Sequence, residues 1–201
     1  MIKKIILYSL FSLFIFSSIY FFLNKDYYQN TTVQKIENQE ALPGGHFKLI
    51  KQDGTVFDSE ISNKLMLIYF GFTYCPDVCP TTLIKMADVI DRLGDDALKV
   101  NSIFISVDPE RDNVEIINDY VSAFHNQIIG LTGNEEQISN VAKDWGVYYQ
   151  KEFIDGSAEY TVNHLDIIFL ANANGEFIDF FPPKIQSALI VEKVRNLIKS
   201  D

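Results

Sequence analysis

Two apolar runs of strand length stand near the middle of the chain. Leu65–Phe72 is continuously apolar up to Gly71, and Val100–Val107 is nearly so; both are rich in aromatic and branched side chains. Strands covered on both faces read this way. Around them the period becomes helical. Leu83, Met86, Ile90 and Leu93 recur before Gly94, and the same spacing returns in Val114, Ile117, Val121 and Phe124. It returns again in Ile138, Val141, Ala142 and Trp145, and last in Ile190, Val194, Leu197 and Ile198. Each set predicts an amphipathic helix. Ile128–Leu131 is a further short strand. Three hairpins are expected: His46–Ile50 with Thr55–Phe57 around Asp53-Gly54, Val147–Lys151 with Glu159–Val162 around Asp155-Gly156, and Asp166–Leu170 with Glu176–Phe181 around Asn174-Gly175. The last carries a type I′ turn signal.

The amino-terminal end has a different pattern. Ile5–Leu23 is nineteen residues without a charge, about enough helix to cross the hydrocarbon core of a bilayer. Lys3 and Lys4 precede it, while Lys25 is offset by Asp26, so the amino terminus is expected to stay cytoplasmic. A cleavable signal peptide is the rival reading, but Ile19-Tyr-Phe-Phe-Leu-Asn24 lacks the small residues of a cleavage site. The expected organisation is a cytoplasmic start and transmembrane anchor (1–24), a polar tether (25–41) and one domain (42–201) entered at Pro43-Gly44-Gly45. The short basic start, without an Arg- and Ser-rich transit peptide, favours a bacterial inner membrane with the domain in the periplasm; the mitochondrial inner membrane is the alternative. Charge narrows the partners. The chain has 17 basic and 27 acidic residues, and beyond Leu23 only 15 basic residues face the same 27. Nucleic acid and anionic lipid surfaces are therefore excluded as partners.

The β-α-β core followed by a β-β-α end predicts a thioredoxin-like α/β fold with an amino-terminal β-hairpin and a mid-chain insertion. The only two cysteines of the chain, Cys75 and Cys79, follow the first apolar run, at the strand end where open α/β sheets bind ligands. Pro80 disfavours helical angles at Cys79 but suits a first helical turn. Cys75 is thus expected in a loop and Cys79 at or just before a helix start, where unpaired N–H groups favour thiolates. A purely structural disulfide is a poor account, because closing so short a loop removes only about 2 kcal/mol of unfolded-state entropy. The paired spacings of a zinc site are absent. Among the histidines, His46 and His125 read as surface residues, and His164 lies in the loop before Ile167–Leu170, facing the cysteine loop. Asp77 reads as a helix cap. Asp108, Glu110 and Arg111 sit at another strand's carboxyl end, on a docking rim or in a plain turn.

Gly71-Phe-Thr-Tyr-Cys-Pro-Asp-Val-Cys-Pro80 closely resembles the signature of the Sco/SenC family of copper-delivery and thiol proteins. Phe104-Ile-Ser-Val-Asp-Pro-Glu-Arg-Asp112, Gly130-Leu-Thr-Gly133 and His164 before its strand are similar to that family too. The resemblance runs from about Gly44 to the carboxyl end. It implies a membrane-tethered thioredoxin-like domain that binds Cu through Cys75, Cys79 and His164. It further implies a role in assembling the dinuclear copper centre of cytochrome c oxidase subunit II, with another copper chaperone or a thioredoxin-like reductant as further partners. The chemistry agrees: soft thiolates select Cu(I), and imidazole suits Cu in either oxidation state. A three-coordinate site is also open on one side, as metal transfer requires. The chain departs from the family pattern at Asn163 and Leu165, where Asp and Ser or Thr are usual. The rival class is a thiol–disulfide oxidoreductase using Cys75 and Cys79. Against it, three residues separate the cysteines and no proline precedes Ile167–Leu170. A peroxiredoxin-like activity fits less well, since Phe72 stands where that family has Thr or Ser. A copper or redox sensor that transfers no metal is the remaining alternative.

Overall fold

The two apolar runs become the middle of a seven-stranded sheet, seen in a computed structural model that describes residues 42–154 and 157–200. In chain order the strands are β1 (Lys48–Lys51), β2 (Val56–Asp58), β3 (Leu65–Gly71), β4 (Val100–Ser106), β5 (Ile128–Thr132), β6 (Tyr149–Phe153), β7 (Tyr160–His164), β8 (Ile168–Ala171) and β9 (Phe177–Phe181). The α-helices are α1 (Ser59–Ser62), α2 (Val78–Leu93), α3 (Val114–Ser122), α4 (Glu135–Asp144) and α5 (Ser187–Ser200). The expected anchor and tether, and the Asp155-Gly156 turn, lie outside the described residues. Among the described residues no helix is long and apolar enough to cross a membrane.

The main sheet runs β2-β1-β5-β4-β3-β8-β9. β3 pairs in parallel with β4, and β4 with β5; β8 and β9 complete one side antiparallel, and β1 and β2 the other. Every residue of β3 and β4 is buried, which is why neither shows the alternation of a half-exposed strand. This is the thioredoxin-like arrangement expected from the order of elements. The insertion is a separate two-stranded sheet, β6 with β7, running in register from Tyr149↔His164 to Phe153↔Tyr160.

Two local expectations need correction, and one further element has no counterpart among the expected ones. His164 is the last residue of β7 and not a loop residue, because the insertion strand continues to the site. The turn at Asn174-Gly175 is not a two-residue type I′ turn. Only Gly175 has positive φ (74°), and the Asn172 side chain accepts from the N–H groups of Asn174 and Glu176 at 2.9 Å each. An Asx-type loop of five residues therefore replaces the tighter turn. Finally, the short α1 carries no periodic apolar signal. It exists because the Asp58 side chain caps it through the Glu60 N–H.

Candidate metal centre

β3 delivers the chain to the cysteines. Beyond Gly71 the Cys75 N–H donates to the Phe72 carbonyl at 3.3 Å, turning the backbone before α2 begins at Val78. Cys75 lies in the loop and Cys79 in the first helical turn, both buried, with no disulfide between them. Asp77 occupies the N-cap position but its side chain makes no capping bond, so the cap reading of that residue fails. Its contribution comes from the backbone, whose N–H faces the Cys75 sulfur.

The two thiols are not equivalent. Hydrogen bonding from the Cys79 thiol, joined by the Asp77 and Cys79 N–H groups, brings Cys75 down to about 5 against the opposing effect of burial. The same sulfur–sulfur contact, together with burial, pushes Cys79 well above the ordinary thiol range. The reduced pair therefore holds one proton at neutral pH, with the thiolate on Cys75. Cys75 is 9% exposed and Cys79 is 0% exposed, so the charged sulfur is also the outer one.

β7 brings the third group from the other sheet. His164 Nε2 lies 3.3 Å from Cys79 Sγ, and Nδ1 lies 3.3 Å from the Leu165 carbonyl. A carbonyl can only accept, so Nδ1 is the donor in this contact and Nε2 is the nitrogen that faces the sulfurs. Edge-on contacts with Phe72 (5.7 Å between centroids) and Tyr69 (6.1 Å) pack against the ring. Ligand atoms of Cys75, Cys79 and His164 all lie within 4.8 Å of one another. Ligands about 2.0–2.3 Å from a common ion stand roughly 4 Å apart in a trigonal arrangement, so the set fits a metal with little movement. Among the described residues this is the one such group of three. His46 and His125 are far from it in contacts: His46 Nδ1 faces Ser59 Oγ at 3.4 Å, and His125 faces Asp91 and accepts from the Gln127 N–H. Of the two departures, Asn163 points away and donates to Glu152 at 2.7 Å, while Leu165 serves His164 through its backbone.

A buried network holds the cysteine loop, and sequence reasoning missed it. Asp112 is fully buried and accepts from the Thr73 N–H (2.9 Å), the Thr73 hydroxyl (2.6 Å) and the Ser106 hydroxyl (2.6 Å). Burial raises its carboxyl above the ordinary range against these bonds. Asp108 is fully buried as well. Of the residues read as a rim or a turn, which do form a turn, Asp108 thus faces inward and Glu110 is exposed; Asp112 carried no reading from sequence. The available signal was the position of the two aspartates at the carboxyl end of a buried strand, beside the cysteine loop's own strand.

The SCO1/SenC family profile matches residues 35–199. The chain belongs to the SCO1/SenC family. A SCO2-like protein of Rickettsia felis is 41% identical over 140 residues, 69% of this chain and 68% of that protein. A mitochondrial SCO1 homolog of Arabidopsis thaliana is 42% identical over 144 residues; this match spans 71% of the chain but only 43% of the Arabidopsis protein. The crystal structure of Arabidopsis ScoI with copper bound superposes with a TM-score of 0.72 at 38% identity, covering 79% of this chain and 99% of that one. The SCO1/SenC relationship therefore includes the whole region that builds the Cys75–Cys79–His164 group.

Proposed function

We propose that this protein binds copper through Cys75, Cys79 and His164 and helps to assemble the dinuclear copper centre of cytochrome c oxidase subunit II. The observation that carries the reading is the convergence within 4.8 Å of two sulfurs, from the loop and helix that follow β3, and one imidazole nitrogen from β7. Two thiolates and a neutral imidazole suit a soft cation, and the copper-bound Arabidopsis relative supports the choice of metal. In this reading copper is cargo. Cys75 is already a thiolate, Cys79 would give up its shared proton to solvent on binding, and His164 would offer Nε2. The pair must be a dithiol to accept copper, so a thioredoxin-like reductant and a copper-supplying chaperone are the further partners proposed. Membrane attachment by Ile5–Leu23, in a bacterial inner membrane with the domain in the periplasm, belongs to the same proposal. It rests on the uncharged run and the lysine bias before it.

The second reading, a thiol–disulfide oxidoreductase acting on the cysteines of that subunit, is favoured by one observation. A low-pKa outer sulfur backed by a buried protonated one is how a nucleophilic and a resolving thiol are arranged.

His164→Ala separates the two. In the reduced, anaerobic protein a chelator competition should show copper retention reduced by at least roughly tenfold, the smallest loss that removing even an outer partner of a metal ligand produces. His46→Ala and His125→Ala should match the parent. Unchanged copper affinity in His164→Ala would remove the three-ligand site and put the oxidoreductase first. Topology has its own check: protease added to intact spheroplasts should digest the domain, whereas protection would place it on the cytoplasmic side.

A further inference from the structure

The histidine and the cysteines reach the site on separately paired elements. β6 and β7 pair only with each other, β6 has no fully buried residue, and Val162 is the one buried residue of β7. An isolated two-stranded hairpin is marginally stable at best, so a few side chains must decide where this one stands. Residues of a strand alternate between faces, which puts Tyr160, Val162 and His164 on the same side of β7. The ligand is at one end of that face and Tyr160 at the other, roughly 13 Å away at strand rise.

Tyr160 is gripped by Arg111. The guanidinium carbon lies 3.7 Å from the Tyr160 ring centroid, and Nη1 donates to the Tyr160 carbonyl at 2.8 Å. The same guanidinium also meets the cysteine loop, at 4.9 Å from the Tyr74 ring centroid and 5.8 Å from that of Phe72. Asp108 fixes its plane: Oδ2 accepts from Arg111 Nε at 2.5 Å, and Oδ1 accepts from the Tyr160 hydroxyl at 2.8 Å. Arg111 Nη2 is buried without a hydrogen-bond partner, which is tolerable for a weakly hydrated guanidinium stacked on aromatic faces. The cysteine loop does not depend on this stack, because Asp112 holds it separately through Thr73.

We propose that Arg111 is a positioning residue that sets His164 against the cysteine pair by clamping the base of β7 to the cysteine loop. The inference rests on the copper reading above. Arg111 touches no ligand atom; its effect passes through the tilt of one strand. Arg111 and Asp112, five and six residues beyond the end of β4 at Ser106, thus serve the two halves of the ligand set separately.

A double-mutant cycle tests this. Cu(I) affinity is measured by chelator competition in the reduced parent, Arg111→Ala, His164→Ala and the double variant. Arg111→Ala should weaken retention by roughly ten- to a hundredfold, as loss of an outer partner of a ligand does. In the His164→Ala background the same change should alter it less than about twofold, because coupled residues are non-additive. The His164 nitrogen splitting in the Cu(II) electron paramagnetic resonance spectrum should also be lost in Arg111→Ala. Equal losses in both backgrounds, or a retained nitrogen splitting, would overturn the clamp. Arg111→Ala leaves the Asp108 charge buried and unpaired; should that variant not fold, Tyr160→Leu keeps the Arg111–Asp108 pair and is read in the same cycle. If His164→Ala itself changes nothing, the copper reading falls; if only the arginine and tyrosine variants change nothing, the clamp alone falls.

Discussion

In the reduced, metal-free protein the rate at which a small alkylating reagent modifies Cys75 should stay nearly flat between pH 6 and pH 9. An ordinary cysteine gains reactivity steeply over that range. With its thiol brought from 9.0 to about 5, Cys75 is mostly thiolate at pH 6, roughly 900-fold more than an ordinary thiol. The lower basicity of that thiolate costs roughly 60-fold in nucleophilicity at a Brønsted slope near 0.45. The net expectation is a rate about tenfold above an ordinary thiol at pH 6 and well below it at pH 9. The sign follows from the direction of the shift: the thiolate is fully present above about 5 and is lost as pH falls through that value. Cys79, fully buried and shifted upward, should remain unlabelled. Mass spectrometry of labelled peptides over a pH series measures both. A Cys75 rate that climbs with pH like free cysteine would show that the proton is not shared as described.

Gly71→Ala should damage the fold and the site together. Gly71 ends β3 with an ordinary backbone conformation, so space, not φ, dictates the residue. A Cβ there would stand 2.9 Å from Cys79 Sγ, 2.9 Å from Phe104 Cε2 and 3.1 Å from Tyr69 Cε1. None of those three side chains can retreat toward solvent, since all are 0% exposed. Overpacking of this kind costs about 1–3 kcal/mol, which for a domain of this size lowers the melting temperature by roughly 2–12 °C. The sulfur is the softest of the three neighbours and sits on a loop-to-helix junction, so it should yield most. Copper retention in the folded variant should fall with it. Thermal melting beside chelator competition reads both effects; a variant matching the parent in both would mean that the strand end is looser than its contacts indicate.

The parts of this fold that were legible in sequence are those where one residue class repeats. β3 and β4 announce themselves because burial on both faces leaves no polar position to break the run, and α2 through α5 because each buries a single stripe. The cysteines and His164 were legible as chemistry, since two thiols after a buried strand have few structural uses. What stayed hidden depends on three-dimensional partners. Asp108 and Asp112 look like surface carboxylates until the partners that satisfy them are seen: Thr73 lies 39 residues from Asp112, and Tyr160 lies 52 from Asp108. Asp77 fits the composition of a cap, yet its backbone conformation withholds the side chain from the helix N–H groups. Asn174-Gly175 carries the right turn residues, but Asn172 offers the backbone a competing acceptor.

For the copper delivery proposed above, the difference in depth between the two sulfurs would set the order of release. Cys79 lies beneath Cys75, against the edge of β3, and nothing from outside can reach it first. In that reading an incoming ligand would approach from the Cys75 and His164 side, so those two groups would be the first open to exchange. Cys79 would let go last, and the proton it takes up on release would re-form the bond that keeps Cys75 a thiolate. Departure of the cargo would thereby reset the outer sulfur for the next arrival.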